Sequence, residues 1–259
     1  MSDRHPSYDR VALVTGGGSG IGEAVARLLA SRGVAVALVG RRREALDSVV
    51  SAISAAGGAA LAISVDLVEP AAPREIVDTA LRTFGRIDVL INNAGLTSIT
   101  PLADVTNEQF DREFAVNVRA PLFLTQAALT ALRLSPSGCI VNVSSAAAWL
   151  YRPGQSVYGA SKAAIEYLTR SLAAELAIDR IRVNAVVPGP TATDIHLQWG
   201  DDIEATRSYL TRMTPLGRMG TAGEVASWIV RLTEEEAAWV TGAVVHIDGG
   251  RSLGAPSQV

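Results

Sequence analysis

Short apolar runs, hydrophobic on both faces, alternate along this chain with longer helical stretches. The runs cover residues 11–15, 34–39, 59–65, 89–91, 139–143, 182–187 and 244–247. Strands that do not alternate apolar with polar positions suit a parallel sheet covered by helices on both sides. Helices are predicted near residues 22–32, 43–56, 73–84, 107–132, 156–178 and 222–233. Regular strand–helix alternation predicts an α/β chain, a doubly wound parallel sheet of seven strands. The one long connection, residues 188–220, has the length and late position of a substrate lid, and its part 201–212 could form a short helix. No linker or repeat divides the chain, so one domain over 1–259 is expected: a core at 10–187, the lid, and a last helix and strand within 221–259.

Composition narrows the function classes. The 259 residues are 48% hydrophobic, enough for a sizeable core, which argues against disorder. With 23 basic against 26 acidic residues and no basic stripe, nucleic acid is not expected as a partner. The single cysteine, Cys139, cannot close an intrachain disulfide, and the three histidines, His5, His196 and His246, are scattered, so no metal site is expected. Residues 1–10 are polar rather than a signal peptide, and no apolar run is long enough to span a membrane, so a cytoplasmic protein with no membrane partner is expected.

Chemistry enters first at Thr15-Gly16-Gly17-Gly18-Ser19-Gly20-Ile21-Gly22, between the first strand and first helix. Glycine there permits a tight turn, backbone approach to a pyrophosphate and close helix packing, and the helix N-terminus offers N–H groups to phosphates. Glycine can also serve a strand-to-helix turn structurally, but five glycines in these positions favour dinucleotide binding. The second strand ends in Gly40-Arg41-Arg42-Arg43, with no carboxylate where NAD-selective folds grip the ribose 2′-hydroxyl. Arg41 or Arg42 can offer guanidinium donors to a 2′-phosphate, which favours NADP(H) with NAD(H) as the alternative. The arginines could equally open an exposed helix and face solvent, and Ser19 stands where a second basic residue would strengthen NADP selection.

Tyr158 and Lys162 stand four apart on the helix 156–178 and so share one face. An ammonium beside a phenol favours the phenolate, so the Tyr158 pKa is expected below its ordinary value of about 10. Such a tyrosine can trade a proton with an alcohol oxygen. Ser145 follows the fifth strand, where carboxyl ends of strands form a ligand crevice, and its hydroxyl could hold a carbonyl oxygen. Alone, a Tyr/Lys pair is usually a surface contact; the phosphate loop and serine give it its setting. Ser144→Ala, by contrast, is expected to be mild.

With these residues assembled, the sequence resembles the short-chain dehydrogenase/reductase family from about Arg10 to Gly250. Thr15–Gly22 matches its Thr-Gly-x-x-x-Gly-x-Gly loop, and Asn92-Asn93-Ala94-Gly95 its Asn-Asn-Ala-Gly motif. Ser145 lies thirteen residues before Tyr158, as the family's serine does, Tyr158–Lys162 is its Tyr-x-x-x-Lys, and Pro188, Gly189 and Thr193 fit its Pro-Gly-x-x-x-Thr. The resemblance implies strand order 3-2-1-4-5-6-7 and assigns roles. Tyr158 becomes the general acid/base, Ser145 polarises the substrate oxygen, and Lys162 lowers the tyrosine pKa and bonds the nicotinamide ribose. Asn117 holds a proton-relay water, although an asparagine in a helix can be structural. Cofactor contacts are expected from Gly16, Ser19, Gly20, Ile21, Gly22, Arg41, Arg42, Asp66, Leu67, Asn93, Ala94, Gly95, Tyr158, Lys162, Pro188, Gly189, Thr191 and Thr193. Asp66 would bond the adenine amino group, or else cap a turn. Family members are commonly dimers or tetramers through the helices corresponding to 107–132 and 156–178 and through the stretch 241–250, so a homo-oligomer is expected.

The implied activity is hydride transfer between NADP(H) and a ketone or secondary alcohol, a small-molecule substrate. A non-catalytic cofactor-binding regulator is the alternative, against which the intact Ser145, Tyr158, Lys162 and Asn117 set argues; a nucleotide-sugar epimerase would need a further substrate domain. Trp149, Leu150, Tyr151 and Gln155, with His196, Leu197 and Trp199 from the lid, could line a partly apolar pocket. Trp149 and Trp199 could equally be core or interface residues.

Overall fold

The computed structural model describes residues 8–193 and 203–254. Seven parallel strands form one sheet in the order β3-β2-β1-β4-β5-β6-β9, the order expected, with the seventh sheet strand supplied by β9. They are β1 (Val11–Thr15), β2 (Ala35–Gly40), β3 (Ala60–Ser64), β4 (Val89–Asn92), β5 (Cys139–Val143), β6 (Arg182–Pro188) and β9 (Val244–Ile247). The helices are α1 (Gly20–Ser31), α2 (Arg43–Ala55), α3 (Ala72–Phe84), α4 (Asn107–Phe114), α5 (Ala120–Leu134), α6 (Ser156–Leu176), α7 (Ile203–Arg212) and α8 (Ala222–Thr233).

Successive strand residues point to opposite faces, which splits the core in two. Val11 and Leu13 of β1 join Ile76, Leu124, Leu132 and Leu176 beneath α3, α5 and α6. Ala12 and Val14 join Val25, Leu29, Leu46 and Ile229 beneath α1, α2 and α8. Both faces are therefore covered, which is why the strands read as unbroken apolar runs. Strand order reverses between β1 and β4, and the crevice for ligands opens at the carboxyl ends there.

Two features go beyond the sequence reading. The single helix expected at 107–132 is α4 and α5 joined by a π turn at Ala115–Arg119. The expected lid is pinned at its base, because β7 (Thr191–Ala192) pairs in parallel with β8 (Gly220–Thr221). Its return toward β8 is anchored too: the Leu216 N–H donates to the Gly249 carbonyl at 3.1 Å, and Thr214 is buried, while residues 194–202 lie outside the described residues.

Candidate active site

The glycine loop leaves β1 and turns into α1 with Gly16 at φ 67°, left-handed backbone that suits glycine. At Gly22 a Cβ would fall 2.1 Å from the Gly16 carbonyl oxygen and 2.5 Å from Asn93 Nδ2, so only glycine lets α1 start this close to the loop. The next strand end is stapled to the same place. The Thr15 hydroxyl oxygen accepts the Asn93 and Ala94 N–H groups at 2.9 and 3.0 Å, and Asn93 Nδ2 donates to the Thr15 carbonyl at 2.9 Å. Asn93 thus holds the loop together through its side chain. Ser19 is the N-cap of α1, with extended backbone and no capping bond from its side chain, so N–H groups of the first turn face the crevice without a side-chain partner. On the far side, the Thr193 methyl carbon stands 3.2 Å from where a Gly20 Cβ would be, so Thr193 closes over the loop.

At the end of β2, Arg42 Nη2 donates to the Ser19 hydroxyl at 3.1 Å, which places a guanidinium at the mouth of the loop. Arg41 is half-exposed and 4.0 Å from Asp66. The Asp66 carboxylate also lies 3.5 Å from Arg112 and accepts the Val68 N–H at 3.1 Å, so it serves the turn after β3 as a cap does. Leu67 has its side chain in the core, leaving only its backbone to offer. Ile21 packs against the core beneath the loop. At Gly189, after Pro188 ends β6, a Cβ would stand 2.6 Å from the Asp248 Cα, so glycine permits the contact with the turn after β9. These donors and close backbone approaches fit a dinucleotide.

Tyr158, Lys162 and Ser145 come together over the ends of β4 and β5. Tyr158 and Lys162 are 7% and 4% exposed, with the ammonium 5.8 Å from the ring centroid. Lys162 Nζ donates to the Val143 carbonyl at 2.8 Å and lies 3.4 Å from the Cβ position of Gly95, where a side chain would crowd it. Burial lowers the Lys162 pKa to about 8. The Tyr158 phenol is pushed up: burial dominates, the hydrogen bond to Ser145 opposes it, and the Glu113 carboxylate adds to it. The expected lowering by Lys162 is therefore not what this site shows, because desolvation of the phenolate outweighs its neighbours. Raised, the phenol keeps its proton near neutral pH, the form that donates to a carbonyl oxygen.

Asn117 sits in the π turn, a distortion that recurs at functional sites. Its side chain accepts the Leu96 N–H and donates to the Leu96 carbonyl, each at 2.8 Å, and to Ser161 at 2.9 Å. It locks the loop segment following Gly95 to α6. Of the pocket residues, Gln155 is buried three positions before Tyr158, and its Nε2 has no partner among the described residues. Tyr151 is wholly exposed. Trp149 turns its indole N–H to the Glu166 carboxylate at 2.9 Å and its ring to His246. His196, Leu197 and Trp199 lie outside the described residues. Sequence reading named Thr15 only as part of the loop motif and passed over Glu113 and Glu166; buried carboxylates on predicted helices resemble solvent-facing charges.

A doubly wound sheet with a glycine loop at its switch point, and beside it a buried tyrosine and lysine next to a serine, defines a class of dinucleotide-dependent oxidoreductases. The family model described as enoyl-(acyl carrier protein) reductase matches residues 16–252. Cyclopentanol dehydrogenase of a Comamonas species is 38% identical over 242 residues, covering 93% of this chain and 96% of its own. Versicolorin reductase 1 of Aspergillus parasiticus is 37% identical over 261 residues, covering 96% and 99%. The crystal structure of a blue fluorescent protein from a metagenomic library, in complex with NADPH, superposes with a TM-score of 0.87 at 35% identity, covering 93% and 97%. The chain belongs to the short-chain dehydrogenase/reductase family and is an oxidoreductase of that kind, using NAD(P)(H). Among the described residues no helix is long and apolar enough to cross a membrane.

Proposed function

We propose that this protein is an NADP(H)-preferring reductase that interconverts a ketone and a secondary alcohol of medium size and partly apolar character. The carrying observation is the buried Tyr158 phenol facing Ser145, with the buried Lys162 ammonium 5.8 Å from the ring centroid, at the switch point of the sheet. A reduced nicotinamide, held by the glycine loop and Lys162, would supply the hydride to the carbonyl carbon. As electron density gathers on the oxygen, Tyr158 donates its proton to it, and Ser145 stabilises the same oxygen by hydrogen bond. Because Ser145 faces the phenol, one substrate oxygen placed beside them can accept from both hydroxyls. Lys162, anchored by Val143, holds its ammonium beneath the phenol, and Asn117 keeps the Leu96 segment against α6. Residues 188–220, tied at the base by β7 and β8, would close over the pocket.

NADP(H) preference is supported by Gly40 in place of a carboxylate and by Arg42 at the loop mouth. The ketone/alcohol substrate is supported by the names of the relatives. Exposed Phe123 and Tyr167 on α5 and α6 support a homo-oligomer formed through that face. The test is a set of initial rates for cyclic and open-chain ketones with NADPH and with NADH. A higher kcat/KM with NADPH is expected. Better use of NADH would make the arginines surface charges, and no turnover of any ketone or alcohol would make the chain a cofactor-binding regulator.

A further inference from the structure

Glu166 lies one turn beyond Lys162 on α6 and is 3% exposed. Its carboxylate accepts the Ser144 hydroxyl at 2.8 Å and the Trp149 indole N–H at 2.9 and 3.1 Å. The Ser144 hydroxyl is also 3.2 Å from the Lys162 carbonyl. The two donors flank Ser145, one position before it and four after it. Between them the chain makes only a single 3-10 turn, Ala146–Ala148, with Ser145 as its extended N-cap. One carboxylate, on the helix that carries Tyr158 and Lys162, therefore grips both ends of the loop that carries Ser145.

We propose that Glu166 is a positioning residue for the reaction, fixing the Ser145 hydroxyl against Tyr158 by tethering Ser144 and Trp149 to α6. Taking a carboxylate out of water is costly, and here three donor contacts offset the cost. Half of Trp149 is exposed, so without its acceptor the indole can turn to water and release the loop. A purely structural role would instead have Glu166 seat Trp149 on His246, whose ring centroid is 5.7 Å away.

The proposal rests on the reading of Ser145 given above, and the experiment separates the two. Glu166→Gln, Trp149→Phe and Ser145→Ala, with each of the first two combined with the third, are compared in NADPH-dependent reduction of a ketone turned over by the wild type. Gln keeps the volume but sets an amide N–H against the indole N–H; Phe removes only the indole donor and covers the case in which Glu166→Gln does not fold. Glu166→Gln should lower kcat about tenfold or more, with the KM for ketone and the NADPH Kd within about twofold of wild type. Trp149→Phe should lower kcat less, in the same manner. In the Ser145→Ala background either change should cost less than about twofold more, since residues acting through one group are not additive. Unchanged kcat in both variants, a loss that multiplies fully with Ser145→Ala, or a rise in ketone KM alone would overturn the positioning role while leaving Ser145 in place. Wild-type turnover by Ser145→Ala would remove the serine's role, and that of Glu166 with it.

Discussion

Replacing Gly40 by Asp and Arg41 by Ile tests cofactor choice where the structure gives it. Gly40 ends β2, and a Cβ there would meet only Leu46 methyl carbons, the nearest at 3.5 Å, an ordinary contact. The new carboxylate therefore fits without disturbing the strand. It would stand beside Arg42, which is 3.1 Å from the Ser19 hydroxyl, in the region where a 2′-phosphate would be read. Repulsion between one carboxylate and a doubly charged phosphate about 6 Å apart, at an effective dielectric of about 40, amounts to roughly 3 kcal/mol. Loss of the exposed Arg41 guanidinium adds at most about 1 kcal/mol. A hydrogen bond from the ribose hydroxyl of NADH to the new carboxylate contributes about 1 kcal/mol in favour of NADH. All three effects lower the ratio of kcat/KM for NADPH over NADH, which should then fall by about three to four orders of magnitude. Steady-state rates on one ketone with both cofactors read this directly, with thermal unfolding as the control for folding. A ratio that stays within threefold of the wild-type value would refute the reasoning about Arg41, Arg42 and Gly40.

Ser145→Ala should cut kcat about a hundredfold with little change in KM, because its hydrogen bond strengthens as charge builds on oxygen; a KM effect alone would count against it. Ser144→Ala, expected from sequence to be mild, should now cost activity as well, since its buried hydroxyl ties the loop to α6; wild-type kcat would contradict this. Glu113→Gln should move the rising limb of alcohol oxidation to lower pH. The Glu113 carboxylate holds the Tyr158 phenol up, and without its charge the phenolate that accepts the alcohol proton forms earlier. A limb that stays or moves upward would exclude that electrostatic role. Limited proteolysis within residues 188–220 should slow when NADPH and ketone are both present, and equal cleavage with and without them would exclude closure.

The sheet was legible because its central strands β1, β2, β4, β5 and β6 are buried almost throughout, and runs of Val, Ile, Leu and Ala mark all seven to within one residue at each end. The glycine loop and the 158–162 pair were legible because their chemistry needs fixed spacing. What escaped is three-dimensional. The π turn at Ala115–Arg119 lies inside a continuous helical pattern, and the two-residue ladder of β7 and β8 is too short to show periodicity. Spacing revealed that Lys162 neighbours Tyr158 but not how deeply both are buried, and burial sets the direction of the phenol's shift. Trp149 reads as a pocket residue from its place between serine and tyrosine; only the fold shows its indole N–H on Glu166. The buried relay from Asn92 to Asn142 to Thr169, with bonds of 2.8 and 2.9 Å, likewise joins residues scattered over three elements.

The most direct measurement is single-turnover reduction of a ketone by Tyr158→Phe with NADPH bound, alongside the Kd for NADPH. With the phenol as proton donor, turnover should fall by at least about a thousandfold while the Kd stays within about threefold, the ring remaining in place. Turnover within tenfold of wild type, with folding intact, would show that another group delivers the proton and that Tyr158 is not the acid/base of this enzyme.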